Sequence, residues 1–173
     1  EGDKECLAMF KTIKRMGVHF VVGWRAYRFS LIHADDLASL LILAAERGAR
    51  LAWPTQPDNP AVRAQGYYFA AGEEHPTYAE LGHKIGEAMG RRSTLIVRFG
   101  PGIAWSAAAL SELAGQVVRV PFTYRLDKFR EAFAGAWTCS PQKAMDELGF
   151  RVPMPLLDRL RQTYEWYCRE KWL

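Results

Sequence analysis

An α/β fold is the class this sequence predicts, from three observations. Over residues 67–150, short apolar or β-branched runs alternate with helical patterns, as strands interleaved with helices do. The run Tyr67-Tyr68-Phe69-Ala70-Ala71-Gly72 has no polar position apart from the tyrosine hydroxyls, as in a strand inside a parallel sheet. Hydrophobic residues make up 49% of a 173-residue chain, enough for one domain with a real core. Strands are few and short beside the helices.

The elements follow in order. Cys6, Met9, Phe10, Ile13 and Met16 recur at helical spacing over residues 4–16, and Gly17 ends the pattern. Val18–Val22 reads as a strand closed by Gly23. Residues 27–33 read as a second extended run, and the two can pair as a hairpin around Gly23-Trp24-Arg25-Ala26. Asp35 or Asp36 caps a helix over 36–47 that is apolar nearly all round, hence expected to be buried. The prolines at 54, 57 and 60 mark residues 53–66 as a surface loop. After the 67–72 strand, Thr77 and Glu80 form a capping box for a helix over 78–89 that Gly90 stops, with Tyr78, Leu81, Ile85 and Ala88 inward. Residues 94–99 read as a strand. A small-residue helix over 103–118 and a short one around 126–133 come next. Pro141 takes the first position of a helix that ends at Gly149. Leu157, Leu160, Tyr164 and Tyr167 line the core face of the last helix.

Charge and cysteine usage narrow the function classes. The net charge of +4 is spread out: residues 1–118 hold 13 basic and 12 acidic side chains, residues 119–173 hold 10 and 7. That lacks the basic block or stripe of a nucleic-acid module. No apolar run is long enough to cross a membrane. The charged start Glu1–Glu5 is no signal peptide and has no initiator methionine, so the chain is expected to begin inside a larger protein. Cys6, Cys139 and Cys168 are odd in number and far apart, the pattern of packed thiols in a reduced, cytoplasmic protein.

The sequence offers few groups for chemistry. The histidines at 19, 33, 75 and 83 have no metal-ligand spacing. His33 reads as a core histidine bonded to backbone, and His83 as solvated. Adjacent Asp35 and Asp36 suit helix capping better than acid–base work. No GxSxG, Walker loop or GxGxxG occurs, and Pro101 spoils Gly100-Pro101-Gly102 as a phosphate cradle. The densest aromatic–cation group is Trp24, Arg25, Tyr27 and Arg28, which either contacts a ligand by stacking and charge or forms a solvated turn.

One stretch carries a resemblance. Phe29-Ser30-Leu31-Ile32-His33-Ala34-Asp35-Asp36-Leu37-Ala38 resembles the "fsfIHvdDlA" signature of extended short-chain dehydrogenases/reductases, which include the NAD-dependent epimerase/dehydratases and 3β-hydroxysteroid dehydrogenase-like enzymes. Tyr67–Gly90, Trp137–Leu148 and Pro155–Tyr167 resemble later segments of that family in the same order, and Glu1-Gly2-Asp3 resembles its "GxGD". The resemblance implies the C-terminal part of a Rossmann-like fold, helices with a few short strands and an incomplete sheet, with residues 1–173 as the substrate-binding half. The dinucleotide fingerprint and catalytic residues would then lie upstream, so no catalytic or cofactor-binding residue is assigned here. NAD or NADP would be held mainly by the missing half. The expected partners are that half, a small-molecule substrate and a possible second copy, with no nucleic acid and no membrane.

The branch of the family is less defined. Phe29 stands where sugar-nucleotide epimerases usually carry an arginine, with Arg28 one residue away, and the segment from Arg130 to Gly135 lacks the acid of their "RxGD". The reductase and hydroxysteroid-dehydrogenase-like members are closer in pattern. The expected substrate carries a hydroxyl or keto group on a sugar-nucleotide, steroid-like or other small molecule, and the expected contacts are Trp24, Arg25, Tyr27, Arg28 and Arg130. The alternative is a non-catalytic, stand-alone binding or scaffold domain derived from the same family.

Overall fold

In the computed structural model the described residues are 3–50, 66–100, 102, 106 and 135–173. Over these the chain is α/β, with five helices and a two-stranded parallel sheet. The expected helix over 126–133, that over 103–118 apart from Ser106, the loop over 53–66 apart from Gly66, and Arg130 fall outside them.

Helix α1 (Lys4–Met16) starts because the Asp3 carboxylate accepts from the Glu5 and Cys6 amides, at 2.8 and 3.3 Å. It stops because Gly17 turns left-handed at φ 70° and returns its N–H to the Ile13 carbonyl, a conformation that suits glycine. Strand β1 (Val18–Val22) follows. It pairs in parallel with β2 (Leu95–Phe99), Val18 opposite Leu95 and Val22 opposite Phe99.

This pairing corrects the expected hairpin. The β1 ladder runs on past the strand, with the Gly23 amide donating to the Phe99 carbonyl at 2.9 Å. Gly23, at φ 78°, then turns the chain away. Residues 28–30 lie between two other segments instead: Arg28 bridges Thr77 antiparallel and Phe29 bridges Trp137 in parallel. Hairpin logic favours the nearest partner, but here each extended segment takes its hydrogen bonds from a distant one.

Helix α2 (Ala34–Arg47) begins one turn position earlier than the aspartates suggest. Its cap is His33, whose Nδ1 accepts from the Asp35 amide at 3.2 Å. Nor is it buried all round: Leu40 is in the core, while Leu41 is 61% and Ile42 59% exposed. Residues 67–72 form no regular strand. Their side chains alternate, with Tyr67 and Phe69 exposed and Tyr68 and Ala70 packed inward, and the Gly72 amide bonds to the Leu31 carbonyl.

Helix α3 (Tyr78–Ala88) has the expected capping box: Thr77 Oγ1 accepts from the Glu80 amide and the Glu80 carboxylate accepts from the Thr77 amide. Leu81, Ile85 and Ala88 are buried, whereas Tyr78 is 42% exposed and stacks on Phe29. Helix α4 (Gln142–Leu148) has Pro141 as its cap, just outside the helix, and ends at left-handed Gly149. Helix α5 (Leu156–Arg169) closes the chain.

The core has two parts. Phe10 and Ile13 of α1, Leu81 and Ile85 of α3, and Leu160 and Tyr167 of α5 form one. Leu40 of α2 with Ala144, Leu148 and Phe150 forms the other. Among the described residues no helix is long and apolar enough to cross a membrane.

Candidate functional site

Both strands of the parallel pair point the same way, so their carboxyl ends, Val22 and Phe99, share one edge. Gly23-Trp24-Arg25 leaves β1 at that edge and Gly100 leaves β2 there. The two connections meet: a Cβ added at Gly100 would lie 3.7 Å from Trp24 Nε1. Arg98 Nη1 reaches across to the Gly23 carbonyl at 3.5 Å. Ligands of α/β folds bind outside the carboxyl ends of parallel strands, where backbone groups and loops converge.

The predicted contacts divide here. Trp24 is 69% exposed. Arg25 is fully exposed and donates to the Tyr27 hydroxyl at 3.2 Å, which holds its guanidinium above the ordinary arginine range. These three form one surface. Arg28 is engaged elsewhere, donating to the His75 carbonyl at 2.7 Å and lying 3.7 Å from Glu80. The Glu80 carboxyl sits below its ordinary range chiefly because the Thr77 amide donates to it, with Arg28 a smaller contributor. Arg28 therefore ties three segments together.

Next to Arg28 lies an open groove that the sequence does not announce. Its volume is about 390 Å³, and Glu73, His75, Thr138, Cys139, Ser140 and Met145 line it. Small-molecule sites span about 300–1,000 Å³, so the size is adequate. Ser30 organises one wall. Its Oγ accepts from the Cys139 amide at 2.9 Å, lies 3.3 Å from the Cys139 carbonyl and 3.2 Å from His75 Nδ1. The only trace of this wall in the sequence is the serine within the Phe29–Ala38 motif. Its partners stand 45 and 109 residues away.

Other candidate residues take structural roles. Asp36 is 2% exposed and paired with Arg159 of α5, through Nε at 2.9 Å and also through Nη2. Asp35 accepts from Gln162 at 2.9 Å. The aspartates thus fasten α2 to α5, and neither caps. His33 is the α2 cap and His83 is exposed. Tyr-x-x-x-Lys spacing also occurs twice, which sequence reading overlooked. Tyr124 and Lys128 lie outside the described residues. Tyr167 is fully buried against Phe10, Trp166 and Trp172, while Lys171 is exposed, so that pair presents no phenol beside an ammonium in a cleft. Among the described residues no cluster could hold a metal ion.

These residues do not fit a nicotinamide dinucleotide. A pyrophosphate needs a helix N-terminus with open amides and no competing anion. Asp3 fills that of α1, Asp35 and Asp36 occupy the first turn of α2, and Glu80 closes the α3 box. The α5 start is filled by Glu74, which accepts from the Leu156 amide at 2.9 Å. That bond and the stronger one from Lys84 hold the Glu74 carboxyl below its ordinary range. Among the described residues, the protein's own carboxylates thus occupy the N-termini of α1, α2, α3 and α5.

No family model matches the chain, and no curated protein matches it. Solved structures do: the crystal structure of gox2253 aligns over 97% of this chain with a TM-score of 0.59 and 16% identity. The alignment covers 44% of that protein, so the chain spans less than half of its length. What the two share at this identity is a fold.

Proposed function

We propose that residues 1–173 are the substrate-binding half of an NAD(P)-dependent oxidoreductase or epimerase of the extended short-chain dehydrogenase/reductase type. Its substrate is a small molecule with a hydroxyl or keto group. The observation that carries the reading is the position of Trp24 and Arg25, leaving β1 at the carboxyl edge of a parallel pair. Trp24 offers a ring for stacking and Arg25 a charged, planar donor, so an aromatic, polar or phosphorylated substrate end suits the surface.

The motif over Phe29–Ala38 supports the reading, and so does the longer chain of the similar fold. Self-filled helix N-termini agree with a cofactor held elsewhere in the protein. When bound there, the nicotinamide supplies hydride exchange. The residues of this chain bind and orient the substrate and contribute no proton-transfer group that the described geometry assigns.

The test uses the protein as expressed from its gene. Its mass is measured, then its binding of NAD and NADP by fluorescence quenching, then turnover with a panel of hydroxyl and keto compounds. The reading expects a species larger than this chain, nicotinamide binding and turnover. A species of 19.7 kDa that binds neither nucleotide would overturn it in favour of a stand-alone binding domain.

A further inference from the structure

The groove beside Ser30 has a hydrogen-bond arithmetic of its own. A serine hydroxyl has one proton and two lone pairs. The Cys139 amide takes one lone pair of Ser30 Oγ. The Cys139 carbonyl and His75 Nδ1 remain, at 3.3 and 3.2 Å. A carbonyl oxygen can only accept, so the serine proton goes to it. The second lone pair then accepts from His75, which must carry its proton on Nδ1. This assignment satisfies every contact. The reverse, with Ser30 donating to Nδ1, leaves two oxygens facing each other with no proton between them.

An imidazole protonated on Nδ1 has a bare lone pair on Nε2. His75 lines the groove, so Nε2 is the ring atom available to a ligand. Ser140 accepts from the Gln142 amide at 3.2 Å and keeps its own proton to donate. Glu73 places a carboxylate at the same groove and no lysine or arginine lines it, which disfavours an anionic ligand. Cys139, Pro141 and Met145 add apolar surface between these polar groups, which suits the carbon faces between a ligand's hydroxyls. A neutral molecule bearing several hydroxyls satisfies the acceptors and the donor together.

We propose that this groove binds a neutral, multiply hydroxylated small molecule, with His75 Nε2 accepting a hydrogen bond from one ligand hydroxyl and Ser30 fixing the tautomer. Ser30 is a positioning residue. The site does not depend on nicotinamide chemistry, so it and the proposed function fail separately.

Long-range ¹H–¹⁵N correlation spectra of the ¹⁵N-histidine-labelled protein, as expressed from its gene, test this at mildly alkaline pH. His75→Gln assigns the resonances by their loss. The expected wild-type pattern is a protonated Nδ1 and an unprotonated Nε2. Ser30→Ala should return His75 to the usual Nε2–H form, and Ser30→Thr, which keeps the hydroxyl, should preserve the wild-type pattern. Titration with glycerol, myo-inositol and D-glucose should shift the His75 Nε2 signal, and acetate should not. If Ser30→Ala fails to fold, the wild type and Ser30→Thr decide the tautomer. A wild-type Nε2–H form, or signals unmoved by all three polyols up to their solubility, overturns the proposal.

Discussion

Arg159 grips Asp36 through two of its nitrogens across 123 residues of sequence, in a site where the two side chains are 9% and 3% exposed. Around this pair Gln162 bonds both Arg159, at 2.6 Å, and Asp35. The start of α2 is thereby fixed to α5. Breaking a buried ion pair from one side leaves the other charge without compensation, which costs about 3–5 kcal/mol. Asp36→Ala should lower stability in urea denaturation by somewhat less than that, because Asp35 stays 3.5 Å from Arg159 Nη1 and offsets part of the stranded charge. Asp36→Leu combined with Arg159→Met should recover much of the loss, because no charge is then stranded. A double variant as unstable as the single would contradict this account.

His19 makes the fold sensitive to pH near neutrality. It is 3% exposed in β1, packed on Gly82 of α3, and its Nε2 has no partner among the described residues. Burial pushes its pKa below the ordinary 6.5, the hydrogen bond with the Tyr78 backbone opposes the shift, and nearby His83 adds to it. The unfolded chain therefore takes up a proton first as pH falls. The His19 contribution should be constant above about pH 6.5, and stability should decline as pH drops below it. Melting curves across that window check this, and His19→Gln should flatten the slope. Loss of the Glu74 and Glu80 contributions belongs to lower pH, below their ordinary value of 4.5, because both carboxyls are held down in the folded state.

Two glycines let α3 lie close to the sheet. A Cβ at Gly86 would collide with Thr94 Oγ1, and one at Gly82 with the His19 ring. Both sites are buried. Gly86→Ala should cost about 1–3 kcal/mol through overpacking, despite the better helix propensity of alanine. Adding Thr94→Ala should relieve part of the cost, since the hydroxyl is the nearest atom. Additive losses in the double variant would mean that the strain lies elsewhere.

The arginines beside the carboxyl edge should behave differently. Arg25 bonds only the neighbouring Tyr27 hydroxyl among the contacts seen, so Arg25→Ala should leave the melting temperature unchanged and raise KM several-fold in the active protein. Arg28 joins the His75 carbonyl and the capping-box glutamate. Arg28→Ala should lower the melting temperature. Equal effects of the two substitutions on both measurements would remove the distinction.

Most of the helix boundaries were legible from the sequence alone, because caps are local chemistry. Gly17, Thr77 with Glu80, and Gly149 act within four or so residues of themselves, so their spacing in the chain is their spacing in space. The α/β class and most of the inward faces of α1, α3 and α5 follow from periodicity for the same reason, Met16 and Tyr78 being the exposed exceptions. Tertiary structure decided everything that depends on a partner far along the chain. It chose β2 over residues 27–33 for β1, turned Asp36 from a cap into half of an ion pair, and left Leu41 and Ile42 exposed. It also built the groove wall from Ser30, His75 and Cys139. A hydrogen bond or packed face between residues about a hundred positions apart leaves no periodic trace in either segment. Which segment meets which is set by how the core buries its apolar area and satisfies its backbone groups as a whole.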